Sequence, residues 1–404
     1  DKTNMKRQHK GYSVETIQYT DDQSKLFEQS LDVYRPTTIT STNHERDNVG
    51  NGATILPTRP TITILVVGSG WMGHLPIIYW PTSWWNSSGP KTIAKLGHTC
   101  VCVRHRGAFP HFLGWEMLLI GCGCCALLGL SSLMHSLIVI CIVVGMLAIA
   151  PASSATLDDM TDDVFAALRW IKDNTDDILE IDAINEASTT NQHANTASTT
   201  DSIDPIIVFG GYSSGGHVAA TTLSKPKEVW TNKGLPQPTE WFDHILLVSG
   251  VLAVSSTPNE SQRKQIESAS NKATPSDDSI ALDTSFEWFQ RWVVEKAFGD
   301  EKNGIQPPSP LFETNSIPKI PHTLIGCERE LMLDCFTPIL GIFLCSEQYL
   351  KRLQSLGIPC TYESLKTANH WTILNSHEFS DTLETCYDKF EATTFDNNSS
   401  KKIK

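Results

Sequence analysis

Charge is what this sequence withholds over its most unusual stretch: for 41 residues between Glu116 and Asp158 there is no Lys, Arg, Asp or Glu. Basic residues are also in deficit. The 32 Lys and Arg against 45 Asp and Glu leave a formal charge of −13, which repels a phosphate backbone and argues against nucleic acid as a partner. A disulfide framework is missing as well. The eleven cysteines are odd in number and irregularly spaced, and Cys122, Cys124, Cys125 and Cys141 fall inside the uncharged run. That usage fits a reducing, cytosol-facing setting. Cys122 and Cys125 form a C-x-x-C with no second pair, so neither zinc nor thiol redox chemistry is expected. No internal repeat is visible. Its 404 residues suit two or three domains, or one large α/β domain carrying insertions.

What is there reads as strands alternating with helices. Strand-like stretches at Tyr12 to Tyr19 and Phe27 to Tyr34 follow a charged start of ten residues. The β-branched run Thr61 to Val67 stops at Gly68-Ser69-Gly70, and a helix around Lys91 to Leu96 leads to a strand from Thr99 to Val103. Asp158, Asp159, Asp162 and Asp163 crowd the start of a helix with an apolar face of Val164, Ala167, Leu168 and Ile171, as the N-terminal dipole prefers. Further strands are expected at Pro205 to Phe209, His244 to Val248, His322 to Gly326 and Cys360 to Leu365. Helices are expected at Gly215 to Leu223, Phe343 to Leu356 and Phe379 to Thr393. Such alternation predicts a mostly parallel central sheet with helices on both faces. Residues 184–203 are low-complexity Thr, Ser, Asn and Ala, too poor in apolar side chains to bury anything, and read as a flexible insertion. Residues 251–310 carry Phe286, Trp288, Phe289 and Trp292 at helical spacing and read as a lid or cap.

Chemistry concentrates at Phe209-Gly210-Gly211-Tyr212-Ser213-Ser214-Gly215, a G-x-S-x-G between an apolar strand and a small-residue helix. A sharp strand-to-helix turn strains the central serine and leaves room only for glycine beside it, so Ser213 is the candidate nucleophile. In that arrangement an acid and a histidine follow in chain order, each at the end of a later strand. The strand at 360–365 opens into Ala368-Asn369-His370, and His370 would take the Ser213 proton, with His377 in reserve. The strand at 322–326 opens into Glu328, Glu330 and Asp334. Glu330 is the expected acid and Asp334 the alternative. The backbone N–H groups of Ser69, Gly70 and Ser214 would form the oxyanion hole. His217, one turn beyond Ser213, reads as a packed helix residue. No cofactor and no metal is called for.

These landmarks resemble α/β-hydrolases of the esterase and lipase group, which includes hormone-sensitive-lipase-like carboxylesterases, kynurenine formamidases and isoprenylcysteine methylesterases. Leu31-Asp32-Val33-Tyr34-Arg35-Pro36 is similar to the entry strand of that family. Val67-Gly68-Ser69-Gly70-Trp71 stands where its H-G-G-G-W oxyanion loop does, with Val67 in place of histidine and Ser69 in place of glycine. His105-Arg106 stands at its Tyr-Arg, and Ser309-Pro310, Glu330 with Asp334, and Asn369-His370 continue the match. The resemblance covers residues 12–393 and implies ester hydrolysis through an acyl-enzyme, with hydrolysis of N-formyl aromatic amides as the alternative. A scaffold that kept the fold and lost activity is the non-enzymatic reading.

The family places the strand before the uncharged run and the helix after it in one domain, so both ends must return to the same side of any membrane. A crossing needs about 20 apolar residues. Residues 117–150 therefore read as an inserted hydrophobic helical hairpin bending near Ser131 to Ser136, rather than as a single span or a buried core helix. The expected partners are membrane lipid and a lipophilic small-molecule ester. Residues 394–404 form a basic tail whose Lys401-Lys402-Ile403-Lys404 resembles a dilysine signal of the endoplasmic reticulum, with the catalytic domain facing the cytosol. Asn86, Asn259, Asn397 and Asn398 lie in N-x-[ST] triplets, which would instead favour a lumenal side.

Overall fold

The computed structural model describes residues 5–9, 11–20, 29–37, 59–68, 88–107, 155–179, 204–252, 310–312, 317–328, 346–370 and 372–401. The expected hairpin 117–150, the insertion 184–203 and nearly all of the cap 251–310 lie outside them. Among the described residues no helix is long and apolar enough to cross a membrane.

Nine strands form one sheet among the described residues: β1 (Met5–His9), β2 (Tyr12–Gln18), β3 (Ser30–Pro36), β4 (Thr61–Val66), β5 (Thr99–Val103), β6 (Ile206–Tyr212), β7 (His244–Val248), β8 (His322–Cys327) and β9 (Cys360–Leu365). Their order is β1-β2-β3-β5-β4-β6-β7-β8-β9. The β1–β2, β2–β3 and β3–β5 pairs are antiparallel, and every pair from β5 onward is parallel. The parallel strands thus end on a common rim, where ligands of such sheets gather.

Among the described residues, the longer helices packed on the sheet are α1 (Ser88–Lys95), α2 (Leu157–Asp173), α3 (Ser214–Leu223), α4 (Ser346–Ser355) and α5 (His377–Lys401). Alternate strand residues separate two cores, as a two-residue period requires. Ile62, Ile64, Val66, Phe209 and Leu247 pack with Val164 and Leu168 of α2, Val218 of α3 and Leu353 of α4. On the opposite face Leu65, Val208, Leu246 and Val248 pack with Ile93 of α1 and Phe379, Leu383 and Phe390 of α5. The central strands β4, β6 and β7 are buried along nearly their whole length because both faces are covered.

Three expectations change. The charged start contains a strand, since Met5–His9 pairs with β2 through the turn at Gly11, whose φ is 87°. An edge strand needs only its backbone to pair, and exposed Arg7, Gln8 and His9 blunt the open edge. The final helix continues through most of the expected tail to Lys401, there being no Gly or Pro after His377 to stop it. The four aspartates at the start of α2 do not share one role. Asp159 closes a capping box with Thr156, Asp158 and Asp162 meet Lys225 and Lys233 at the surface, and Asp163 is buried. Its carboxylate accepts from Gln29 Nε2 at 2.6 Å and from Arg106 N and Nε at 2.8 and 2.9 Å, tying α2 to the entry hairpin and to the loop after β5.

Candidate active site

β6 runs straight into α3, and the residue at the corner is Ser213, with φ 55° and ψ −127°. Among the described residues only Ser213 and Ser249 are non-glycine residues with positive φ. Such a conformation costs about 1–3 kcal/mol and persists only where the surroundings hold it. The end of β7 does so: Ser213 N donates to Val248 O at 3.1 Å, and Ser213 O accepts from Val251 N at 2.9 Å and Gly216 N at 3.0 Å. Ser249, the strained residue in that clamp, is itself anchored by its N–H on Ile325 O at 2.7 Å.

Two glycines let backbones meet at this corner. A Cβ at Gly215 would lie 2.2 Å from Val66 O, so α3 can cross the end of β4 only without a side chain there. A Cβ at Gly68 would lie 2.3 Å from Tyr212 O and 2.7 Å from Ser213 Cβ, which brings the start of the loop after β4 directly onto the Ser213 corner. Gly215→Ala should therefore destabilise the fold by about 3 kcal/mol, at the upper end of ordinary overpacking because backbone cannot give way. A lowered denaturant midpoint at unchanged slope would register it.

His370 reaches Ser213 from the loop after β9. It is buried, and its Nε2 lies 3.0 Å from Ser213 Oγ. With the proton on Nδ1, Nε2 is free to accept the serine hydroxyl proton. The loop carrying it is braced at both ends. Glu378, at the start of α5, accepts from Lys366 N at 2.8 Å, Thr367 N at 2.9 Å and Thr367 Oγ1 at 2.8 Å. Those backbone bonds hold its carboxyl below the usual range. Asn369 and Thr372 close the other end, Asn369 Oδ1 accepting from Thr372 N at 3.0 Å and Asn369 N donating to Thr372 Oγ1 at 3.0 Å.

Of the remaining expected site residues, Ser214 is buried as the first residue of α3. Ser69, Gly70, Glu330 and Asp334 lie outside the described residues, though Gly68 and Glu328 fix where their loops leave the sheet. Glu328 is exposed, its N–H on Leu365 O at 2.8 Å. His377 is exposed at the start of α5, and His217 is buried in α3. His105, at the mouth of β5, is fully buried with Nδ1 2.7 Å from Arg106 O, and burial lowers its pKa. Sequence reasoning passed over Tyr212 and Glu378. Tyr212 fills the free x of G-x-S-x-G, and Glu378 is an acidic residue in a first helical turn, so neither position announces contact with the His370 loop.

A strained serine between strand and helix, a histidine against its hydroxyl and a sheet that turns parallel after an antiparallel entry define an α/β hydrolase. The chain belongs to the α/β-hydrolase-fold family, which matches residues 139–374, a span holding both Ser213 and His370. Among solved structures it is similar to esterase B from Lactobacillus rhamnosis in complex with a tributyrin phosphonate inhibitor. That match has 14% identity, a TM-score of 0.53, and covers 98% of this chain and 91% of that one. It is also similar to a truncated carbohydrate esterase from gut microbiota, with 14% identity, a TM-score of 0.50, and 96% and 100% of the two chains covered. At this identity the likeness is one of fold. No curated protein sequence matches it significantly.

Proposed function

We propose that this protein hydrolyses carboxylic esters of a lipophilic substrate through an acyl-enzyme, with Ser213 as nucleophile, His370 as general base and acid, and Glu330 as the carboxylate that orients His370. The observation that carries the reading is the 3.0 Å approach of His370 Nε2 to Ser213 Oγ at a strained elbow. Ser213 Oγ attacks the ester carbonyl as its proton passes to Nε2, and the tetrahedral oxyanion is met by the N–H groups of Ser69, Gly70 and Ser214. Collapse expels the alcohol, which takes the proton from the imidazolium. Water, deprotonated by His370, then releases the acid and restores the serine.

The lipophilic part rests on the uncharged run. Gly107, four residues beyond the end of β5, and Ala155, just before α2, flank the uncharged run, and Ala155 N donates to Gly107 O at 3.1 Å. Both ends of the excursion therefore meet at one point on the rim where the parallel strands end, the rim that also carries Gly68 and Ser213. A hairpin inserted between these two points would enter and leave a bilayer on one face, with the catalytic mouth beside it.

A series of esters of increasing acyl length, with formylkynurenine beside them, tests the substrate class. Activity that rises with chain length and with added lipid vesicles is expected. Turnover of formylkynurenine alone would replace the ester reading by amide hydrolysis. Glu330→Gln should lower kcat by about ten-thousand-fold, as loss of the orienting carboxylate does in such triads, while Asp334→Asn should stay near wild type. The reverse result would move the acid to Asp334.

A further inference from the structure

We infer that Tyr212 positions His370 and stabilises its protonated form, a role resting on the Ser213–His370 reading above. Tyr212 is the last residue of β6 and immediately precedes the nucleophile. It holds His370 twice. Its hydroxyl donates to the His370 backbone carbonyl, and its ring stacks on the imidazole with centroids 5.3 Å apart and planes inclined by 23°. One side chain thus fixes both the backbone position and the ring plane of the base. It does so from the strand that carries Ser213, so nucleophile and base are referenced to the same element.

The stack matters most when charge develops. His370 is neutral before attack and an imidazolium in the tetrahedral intermediate, and an aromatic face within about 6 Å attracts a cation through its quadrupole. An interaction stronger with imidazolium than with imidazole lowers the barrier rather than merely tightening the ground state. The imidazole meets Ser213 Oγ at 3.0 Å and the Tyr212 ring. The ionisable groups Lys366 and Glu378 sit at the far end of the loop and bind each other's neighbourhood, Glu378 through the Lys366 and Thr367 amides. In the reading proposed above the orienting carboxylate is Glu330.

The test is the second-order rate of fluorophosphonate labelling of the full chain as a function of pH, which needs no knowledge of the natural substrate. Tyr212→Phe keeps the ring and loses the hydroxyl. It should label severalfold more slowly with the acid limb of the profile unmoved. Tyr212→Leu loses both, and its acid limb should fall by about half a pH unit or more as the imidazolium loses its aromatic face. Progressively fluorinated phenylalanines at position 212 keep the shape while draining the quadrupole, and should move the limb downward stepwise even if the leucine variant fails to fold. A limb that stays fixed across the fluorinated series would overturn the stabilising role. A Tyr212→Phe rate equal to wild type would overturn the positioning bond. Wild-type protein that does not label at all would instead reject the serine-hydrolase reading on which the inference stands.

Discussion

Replacing Ser213 by alanine should lower ester hydrolysis by about ten-thousand-fold to a millionfold, as removal of the nucleophile does in serine hydrolases, while the protein stays folded. The structure explains why the two effects separate. Among the described residues the side chain of Ser213 hydrogen-bonds with His370 Nε2 at 3.0 Å. Its backbone is held independently by Val248, Val251 and Gly216. Alanine inherits the positive φ and its strain. Glycine does not, so Ser213→Gly should be equally inactive yet more stable than Ser213→Ala by about 1 kcal/mol. Thermal midpoints for the two variants, measured beside residual turnover, check both halves. A substantially active Ser213→Ala protein would remove the nucleophile from the account.

The second large effect is acid lability. His98, His244 and His322 are buried among apolar groups, and burial pulls each pKa from 6.5 to about 4. His98 stacks on Tyr387 of α5 at 4.0 Å and His244 on Phe390 of the same helix at 4.2 Å. His322 sits under Tyr349 of α4, its Nδ1 2.7 Å from Ile320 O. The native state therefore refuses protons that the unfolded chain accepts near pH 6.5. Their full stability is present above that pH and is lost progressively as pH falls toward 4. A depression of this size is worth about 3 kcal/mol per residue, and three of them approach the whole stability of an ordinary domain. The denaturant midpoint should fall steeply on the acid side of neutrality, with α5 the element loosened by two of the three. His98→Leu or His244→Leu should flatten that fall. A midpoint that does not change down to about pH 5 would contradict the burial assignment.

Much of this architecture was legible because the parallel strands are covered on both faces. Thr61 to Val66, β-branched at nearly every position, and His244 to Val248, apolar after its first residue, read as buried strands. The elbow was legible because only glycine tolerates the approach of Val66 O to residue 215, a constraint that writes itself into the sequence. The edge strand Met5–His9 was not, since backbone pairing leaves no mark on side-chain pattern. Nor was the split among the aspartates of α2. A helix dipole accounts for acidic residues in a first turn, and only the position of Arg106 shows that Asp163 serves a different partner. Tyr212 and Glu378 belong to the same class. Their meaning lies in a loop some 158 and 12 positions away from their respective contacts, and a contact of that kind has no local signature. Residues 184–203 are poor in periodic apolar pattern, so sequence assigns them composition and little else.

Peptide mapping of the fluorophosphonate-treated protein by mass spectrometry reads out whether Ser213, activated by His370, forms the covalent intermediate. A single phosphonyl adduct on Ser213, absent from the His370→Ala protein, is the result the geometry predicts. An adduct on another serine such as Ser214 or Ser249, or undiminished labelling without His370, would contradict it.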